Sequence, residues 1–262
     1  MGMMIMDAGL VHALKVRLVD HRGVGAGVAD HEVVQVSTIA AVLDRKYDGD
    51  VTIGEILASG DQGLGTLNGL DGELIIVDGE AWQGGADGVV RRVGEEEKTP
   101  FAVSTRFRAD AEVELGGSLE YGELVRLMEG LGSGVEGCDA VRVDGEFPWM
   151  HLRSVWKQER PYRSLGEVAA EQVEWRYENL RGTMVGFRFP QVAESVEMVG
   201  YHLHFISEDR QIAGHVLRCG AGPGRLRVER MGSMRLELPP GVELPGRGER
   251  PREEDLRRIE GG

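Results

Sequence analysis

Lysine is nearly missing from this chain. Lys15, Lys46, Lys98 and Lys157 are the only four among 30 basic residues, which narrows any reading that needs a Schiff-base lysine. Cysteine is rarer still: Cys138 and Cys219 do not make a disulfide framework, and they fit a reducing cytoplasm. Positive charge is outnumbered. Against 44 acidic residues the formal net charge is −14, which repels phosphate backbones and argues against nucleic acid as a partner. No apolar run approaches the roughly 20 residues needed to span a bilayer, so no membrane partner is expected. The opening MGMMIMDAGLVHALKVRLVD lacks a secretory layout, because its charges are wrong and Asp7 interrupts its short apolar run. A cytoplasmic chain is therefore expected. Its 262 residues are ample for a buried core, in one large domain or two small ones.

What is present reads as α+β. Residues 1–30 are Gly-rich and weakly patterned, a loose entry. Val33–Val36 reads as a strand, and STIAAVLDRKY as an amphipathic helix capped by Ser37 or Thr38. TIGEILASGD is a second helix, with Thr52 as cap, Glu55 three residues on and Gly60 as terminator. LGTLNGL, ELIIVDG, EAWQ, GVVRRV and PFAVSTRF follow as strands punctuated by Gly and Asp. SLEYGELVRLMEGLGSG is a helix closing at glycines, and sets a boundary near residue 135. The second part repeats the plan. CDAVRVDGEFPWMHLRSV reads as a hairpin turning at Asp144-Gly145, and SLGEVAAEQVEWRYEN as a helix with a Ser164/Glu167 capping box. RGTMVGFRFP, GYHLHFIS, QIAGHVLRC, LRVERM and MRLELP read as strands. The expectation is two β-rich halves, 1–135 and 136–262, of similar layout through internal duplication, with mixed or antiparallel sheets and flanking helices. Trp82, Trp149, Trp156 and Trp175 are most simply core or interface. GLGTLNG looks like a phosphate loop but lacks the GK[ST] ending and a following helix.

The stretch GYHLHFISEDRQIAGHV holds three of the seven histidines. Side chains alternate faces along a strand, so His202 and His204 point the same way. A turn centred on Glu208-Asp209 pairs residues whose numbers add to 417, setting His202 opposite His215. Directly paired residues share a face, so all three imidazoles converge, with Cβ atoms roughly 5–7 Å apart. A loop of odd length would turn His215 to the other face. Three imidazoles around Zn²⁺ leave a position open, the pattern of a catalytic site; Fe, Co, Ni or Cu would also suit.

The same stretch resembles the metal-binding hairpin of the acetolactate decarboxylase family. GDQGLGTLNGLDGELIIVDGEAWQ is similar to that family's N-terminal signature, and VRVDGEFPWMHLRSVWKQERPY to its central one. The resemblance runs from about Val33 to Met234. It implies conversion of (S)-2-acetolactate to (R)-acetoin and CO₂, a step of acetoin and butanediol biosynthesis, with zinc held by His202, His204 and His215. It implies a site glutamate at Glu73, a threonine at Thr66 and an arginine at Arg153, with Arg142 a lesser candidate. A second glutamate near the C-terminus falls on Glu260, in competition with Glu253 and Glu254.

The residues suit that chemistry. Loss of CO₂ from a 2-hydroxy-3-keto acid leaves an electron pair that needs a sink. Four lysines in no recognisable motif argue against pyridoxal, and no thiamine signature is visible, so a metal chelated by hydroxyl and ketone is the remaining sink. Arg153 can bind a carboxylate in bidentate fashion. Alternation in DGELII can turn Glu73 inward with Ile75, the other reading being an exposed strand residue; turned inward, it would serve as acid/base or hold a metal-bound water. Two other readings stand beside this one: a three-His zinc hydrolase with Glu73 as base, and a non-catalytic small-molecule or metal-binding protein. A homodimer is the common assembly for an enzyme of this kind. Nothing in the sequence says whether acetohydroxybutyrate is also a substrate.

Overall fold

The computed structural model describes residues 15–19, 23–25, 27–194, 196–238 and 242. Two large sheets dominate it. The first has eight strands in the order Lys15–Val19, Ser233–Glu237, Glu32–Val36, Phe101–Thr105, Gln62–Thr66, Glu73–Val77, Glu80–Gly84, Val90–Arg92. It is mixed: Ser233–Glu237 runs parallel to both neighbours, and the remaining pairs are antiparallel. The second has seven strands, all antiparallel, in the order Ala111–Leu115, Gly224–Met231, Cys138–Ser154, Val173–Phe189, Gly200–Ser207, Ala213–Ala221, Leu119–Glu120. Strand Cys138–Ser154 also pairs with Ala213–Ala221, so this sheet curls back on itself. The sheets exchange strands across residue 135. Ala111–Leu115 and Leu119–Glu120 join the second sheet, and Ser233–Glu237 joins the first.

The α+β expectation of β-rich sheets with flanking helices is met. Thr38 caps the helix Ile39–Leu43 by accepting from the Ala41 amide at 3.1 Å. The Thr52/Glu55 capping box opens the helix Ile53–Ser59, which stops at Gly60. A longer helix, Tyr121–Leu131, packs Leu124 and Met128 on the second sheet.

Two expected elements are corrected. Asp144-Gly145 is no turn: Cys138–Ser154 is one strand of 17 residues. A side chain at Gly145 would come within 2.6 Å of the Gly224 Cα, so this glycine permits close strand approach. The Ser164/Glu167 capping box is present, but its helix covers only Leu165–Ala169. The chain then becomes the strand Val173–Phe189, whose start alternates half-buried Val173, Trp175 and Tyr177 with exposed Glu174, Arg176 and Glu178. That period of two overrides the helical propensity of the glutamates.

The sheets pack face to face. Val33, Leu64, Phe101 and Met234 of the first meet Ala140, Phe187 and Phe189 of the second, sealed by Ile39, Val42, Leu165 and Val168 from the two short helices. Beside this, Ile75 and Val77 meet Val185, Ile206 and Ala213. Each fully buried Val, Leu, Ile, Phe or Met side chain among them contributes about 1.5–3 kcal/mol. Backbones come close here too. A Cβ at Gly84 would lie 2.8 Å from the Ala213 carbonyl oxygen, and Ser154 Oγ donates to the Gly84 carbonyl at 2.8 Å.

Candidate active site

His202 and His204 lie on Gly200–Ser207, and His215 on Ala213–Ala221. The pairing differs from the expected one: His204 stands opposite His215, not His202. The reason is the loop. Ser207 and Ile212 close it, with the Ser207 amide donating to Ile212 at 2.8 Å and Ser207 Oγ accepting from the Ile212 amide at 2.9 Å. Residues 208–211 form the turn, with Arg210 at a positive φ of 59°. The slip is two residues, an even number, so all three imidazoles still share a face. Their ring centroids are 5.0, 5.1 and 5.3 Å apart, and all three side chains are buried.

The donor set fits a cation. His204 Nδ1 lies 2.8 Å from the Leu74 carbonyl. A carbonyl only accepts, so Nδ1 carries the proton and Nε2 presents its lone pair. Nε2 of His202 is 3.2 Å from Nε2 of His204, and one ring nitrogen from each histidine lies within 4.8 Å of the others. Burial keeps the imidazoles neutral. It pushes His202 down to about 3, and His204 and His215 well below their ordinary value, with Arg153 adding to each effect. Neutral imidazoles are ligands for divalent transition metals. Among the described residues, this is the one group of three or more His, Cys, Asp or Glu donors that converges in this way.

The first sheet brings Thr66 and Glu73, while Arg153 comes from the second sheet's strand Cys138–Ser154, opposite His215. Glu73 sits opposite Thr66 in the antiparallel pair, so the two share a face. Glu73 Oε1 accepts from Arg153 Nη1 at 2.6 Å, and its Oε2 lies 3.3 Å from His204 Nε2. Both partners of this ion pair are buried. Burial raises the Glu73 carboxyl above its usual range, against the pull of the Arg153 guanidinium. Thr66 Oγ1 donates to the Gly72 carbonyl at 2.7 Å, which fixes its rotamer. Glu73, Arg153, Thr66 and His202 line one small cavity of about 80 Å³ whose other walls are apolar, including Ile39, Leu70, Phe101, Val155, Leu165 and Met198. Arg142 is elsewhere, bonded to Asp144 at 2.9 Å and Asp78 at 2.6 Å. Glu253, Glu254 and Glu260 lie outside the described residues.

One site residue was not anticipated. Glu197 is fully buried, and its Oε1 lies 3.6 Å from His202 Nδ1. Burial pushes its carboxyl up to about 8, opposed by the Met198 amide that donates to Oε1 at 2.8 Å. The available signal is a lone glutamate between Val196 and Met198, five residues before the first site histidine.

A family model described as alpha-acetolactate decarboxylase matches residues 33–244. The chain belongs to the alpha-acetolactate decarboxylase family. It is 38% identical over 213 residues to the alpha-acetolactate decarboxylase of Methylococcus capsulatus, covering 81% of this chain and 82% of that one. It is 37% identical over 218 residues to that of Raoultella terrigena, covering 83% and 84%. The crystal structure of alpha-acetolactate decarboxylase from Bacillus subtilis strain 168 superposes with a TM-score of 0.82 at 33% identity, covering 88% of this chain and all of that one. The family motifs read from the sequence, on Gln62–Thr66, Glu73–Val77, Cys138–Ser154 and the histidine hairpin, are the segments that meet around this cavity.

Proposed function

We propose that this family member decarboxylates (S)-2-acetolactate to (R)-acetoin and CO₂. The observation that carries the reading is a buried three-His group beside a cavity that pairs an arginine with a carboxyl of raised pKa. His202, His204 and His215 would hold the metal, and zinc is the ion we assign, since three imidazoles with an open position suit it. Bound there, a divalent ion supplies Lewis acidity for the substrate's hydroxyl and ketone oxygens.

The chain's own residues do the rest. The Arg153 guanidinium, rigid and always charged, orients the substrate carboxylate. Releasing CO₂ from C2 leaves an electron pair there, and one proton must replace the lost carboxylate to give acetoin. Glu73, held on the cavity floor with its pKa raised, holds that proton and delivers it to one face of C2, which sets the product's handedness. Thr66, its rotamer fixed through Gly72, positions the substrate from the same strand pair. The apolar wall of Ile39, Leu70, Phe101 and Val155 receives the two methyl groups and excludes water. Glu260, the second carboxylate that the family resemblance assigns, stays within this proposal.

No helix among the described residues is long and apolar enough to cross a membrane, and both cysteines are free and buried. We assign the chain to the cytoplasm, as a homodimer.

Purified protein loaded with zinc should release CO₂ and acetoin in equal amounts from racemic acetolactate, stopping near half conversion on the fast enantiomer. Ester hydrolysis without acetoin formation would favour a hydrolase instead, and zinc binding with no turnover of either substrate would favour a binding protein.

A further inference from the structure

We propose that Glu197 is the positioning residue that selects the metal-binding tautomer of His202. This rests on the three histidines holding a metal, not on which reaction follows.

His204 has its proton fixed by the Leu74 carbonyl at 2.8 Å. His202 has no such fixed partner. Its Nδ1 is buried without a hydrogen bond among the described residues, and two neutral tautomers are open to it. With the proton on Nε2, His202 donates to Nε2 of His204 across 3.2 Å, and both lone pairs needed for a metal are lost to one hydrogen bond. With the proton on Nδ1, Nε2 is free to ligate. Only an acceptor at Nδ1 favours the second form. Glu197 is the carboxylate on that side, at 3.6 Å. That contact is longer than a hydrogen bond, and a small rotation of either side chain closes it. Ligating histidines commonly pass their other ring proton to a carboxylate or backbone carbonyl. On this reading His204 uses the carbonyl and His202 the carboxylate.

Burial makes the same case. Glu197 has no exposed surface, and its Oε2 has no hydrogen-bond partner among the described residues. A buried carboxyl that lacks a hydrogen bond is destabilising, and an Nδ1–H on His202, 3.6 Å away, is a donor that faces it. The backbone around Glu197 is held in place. The Val196 carbonyl accepts from the Ile39 amide at 3.0 Å and from Gln35 Nε2 at 2.8 Å, and the Glu197 amide donates to the Ala193 carbonyl at 2.9 Å.

The test is metal affinity, measured with Zn²⁺ and Co²⁺ against a chromophoric chelator, on the parent, Glu197→Gln and Glu197→Ala. We expect about 10-fold weaker binding in Glu197→Gln, which still accepts from Nδ1 without the charge, and up to about 100-fold in Glu197→Ala. Co²⁺ absorption bands should shift in both, while the metal-free variants unfold at or above the parent temperature. A merely structural role predicts the reverse: lower metal-free stability with unchanged affinity and spectrum, and that result overturns the proposal. Should Glu197→Ala not fold, Glu197→Gln decides alone. A parent that binds neither ion removes the metal centre itself and this proposal with it, an outcome distinct from variants that bind as the parent does.

Discussion

At the scale of single residues, the site is built by making charged groups share a low-dielectric pocket. Arg153 and Glu73 form a buried ion pair at 2.6 Å, and neither could stand there without the other. In the proposed reaction the guanidinium serves two carboxylates, that of Glu73 and that of the substrate. A planar fork can face both at once, whereas an ammonium presents a point charge. Arg153→Lys keeps Glu73 compensated but loses the fork. It should lower kcat/KM about 10²-fold through a misheld substrate, with metal content and thermal stability near the parent values. Full activity in that variant would show that the carboxylate is held elsewhere. The convergence of the histidines was legible because they sit in strands, where period-two alternation fixes which side chains share a face, whereas Thr66 and Glu73 were marked by the family resemblance. Glu197 was not legible. It lies in a segment between strands, where no periodicity says which way a side chain points, and a single glutamate looks like a solvated charge until its burial is seen.

At the scale of elements, the histidine hairpin shows what a sequence can fix and what it cannot. Convergence of three imidazoles depends only on parity, and parity survived an error of two in register. The pairing itself depends on how Ser207 and the positive φ of Arg210 shape the loop, which residue types alone do not dictate. Parity can be broken on purpose. One glycine inserted between Asp209 and Arg210 makes the loop odd, and either turns His215 away from His202 and His204 or forces a bulge. We expect zinc stoichiometry to drop well below one per chain and decarboxylation to vanish. Insertion of two glycines should restore much of the zinc. If the single insertion still binds one zinc per chain, His215 is not held by strand pairing. The misread elements fail for a related reason. Asp-Gly and a capping box are local signals, and each is locally correct or tolerable. The long strands Cys138–Ser154 and Val173–Phe189 are imposed by pairing with each other along nearly their full length, a nonlocal term that outweighs a turn dipeptide and one helical turn.

At the scale of the whole molecule, the two sheets are tied by polar groups away from the cavity, and one of these makes stability depend on pH. Glu229, on the second sheet's strand Gly224–Met231, has a fully buried side chain. It meets the turn that enters the first sheet: its Oε1 is 3.1 Å from His31 Nδ1, and its Oε2 accepts from the Arg108 amide at 2.8 Å. Asp110 also faces His31, at 3.8 Å. Burial pushes the Glu229 carboxyl from its ordinary 4.5 up to about 7, with Asp110 adding to the rise and the Arg108 amide, His31 and Arg108 opposing it. The folded chain therefore holds a proton that the unfolded chain has released, across the window from about 4.5 to about 7. Stability falls wherever the folded state binds more protons. So this group's contribution is fully present below about 4.5, declines as pH rises through that window, and is flat above it. Glu229→Gln keeps an acceptor for the Arg108 amide and cannot ionise. Urea midpoints of the parent and Glu229→Gln, taken on zinc-loaded protein from pH 4.5 to 8, should diverge with rising pH, the variant gaining on the parent up to about pH 7 and holding its lead beyond. A difference that stays constant over that range would mean that Glu229 keeps its ordinary carboxyl pKa in the folded chain.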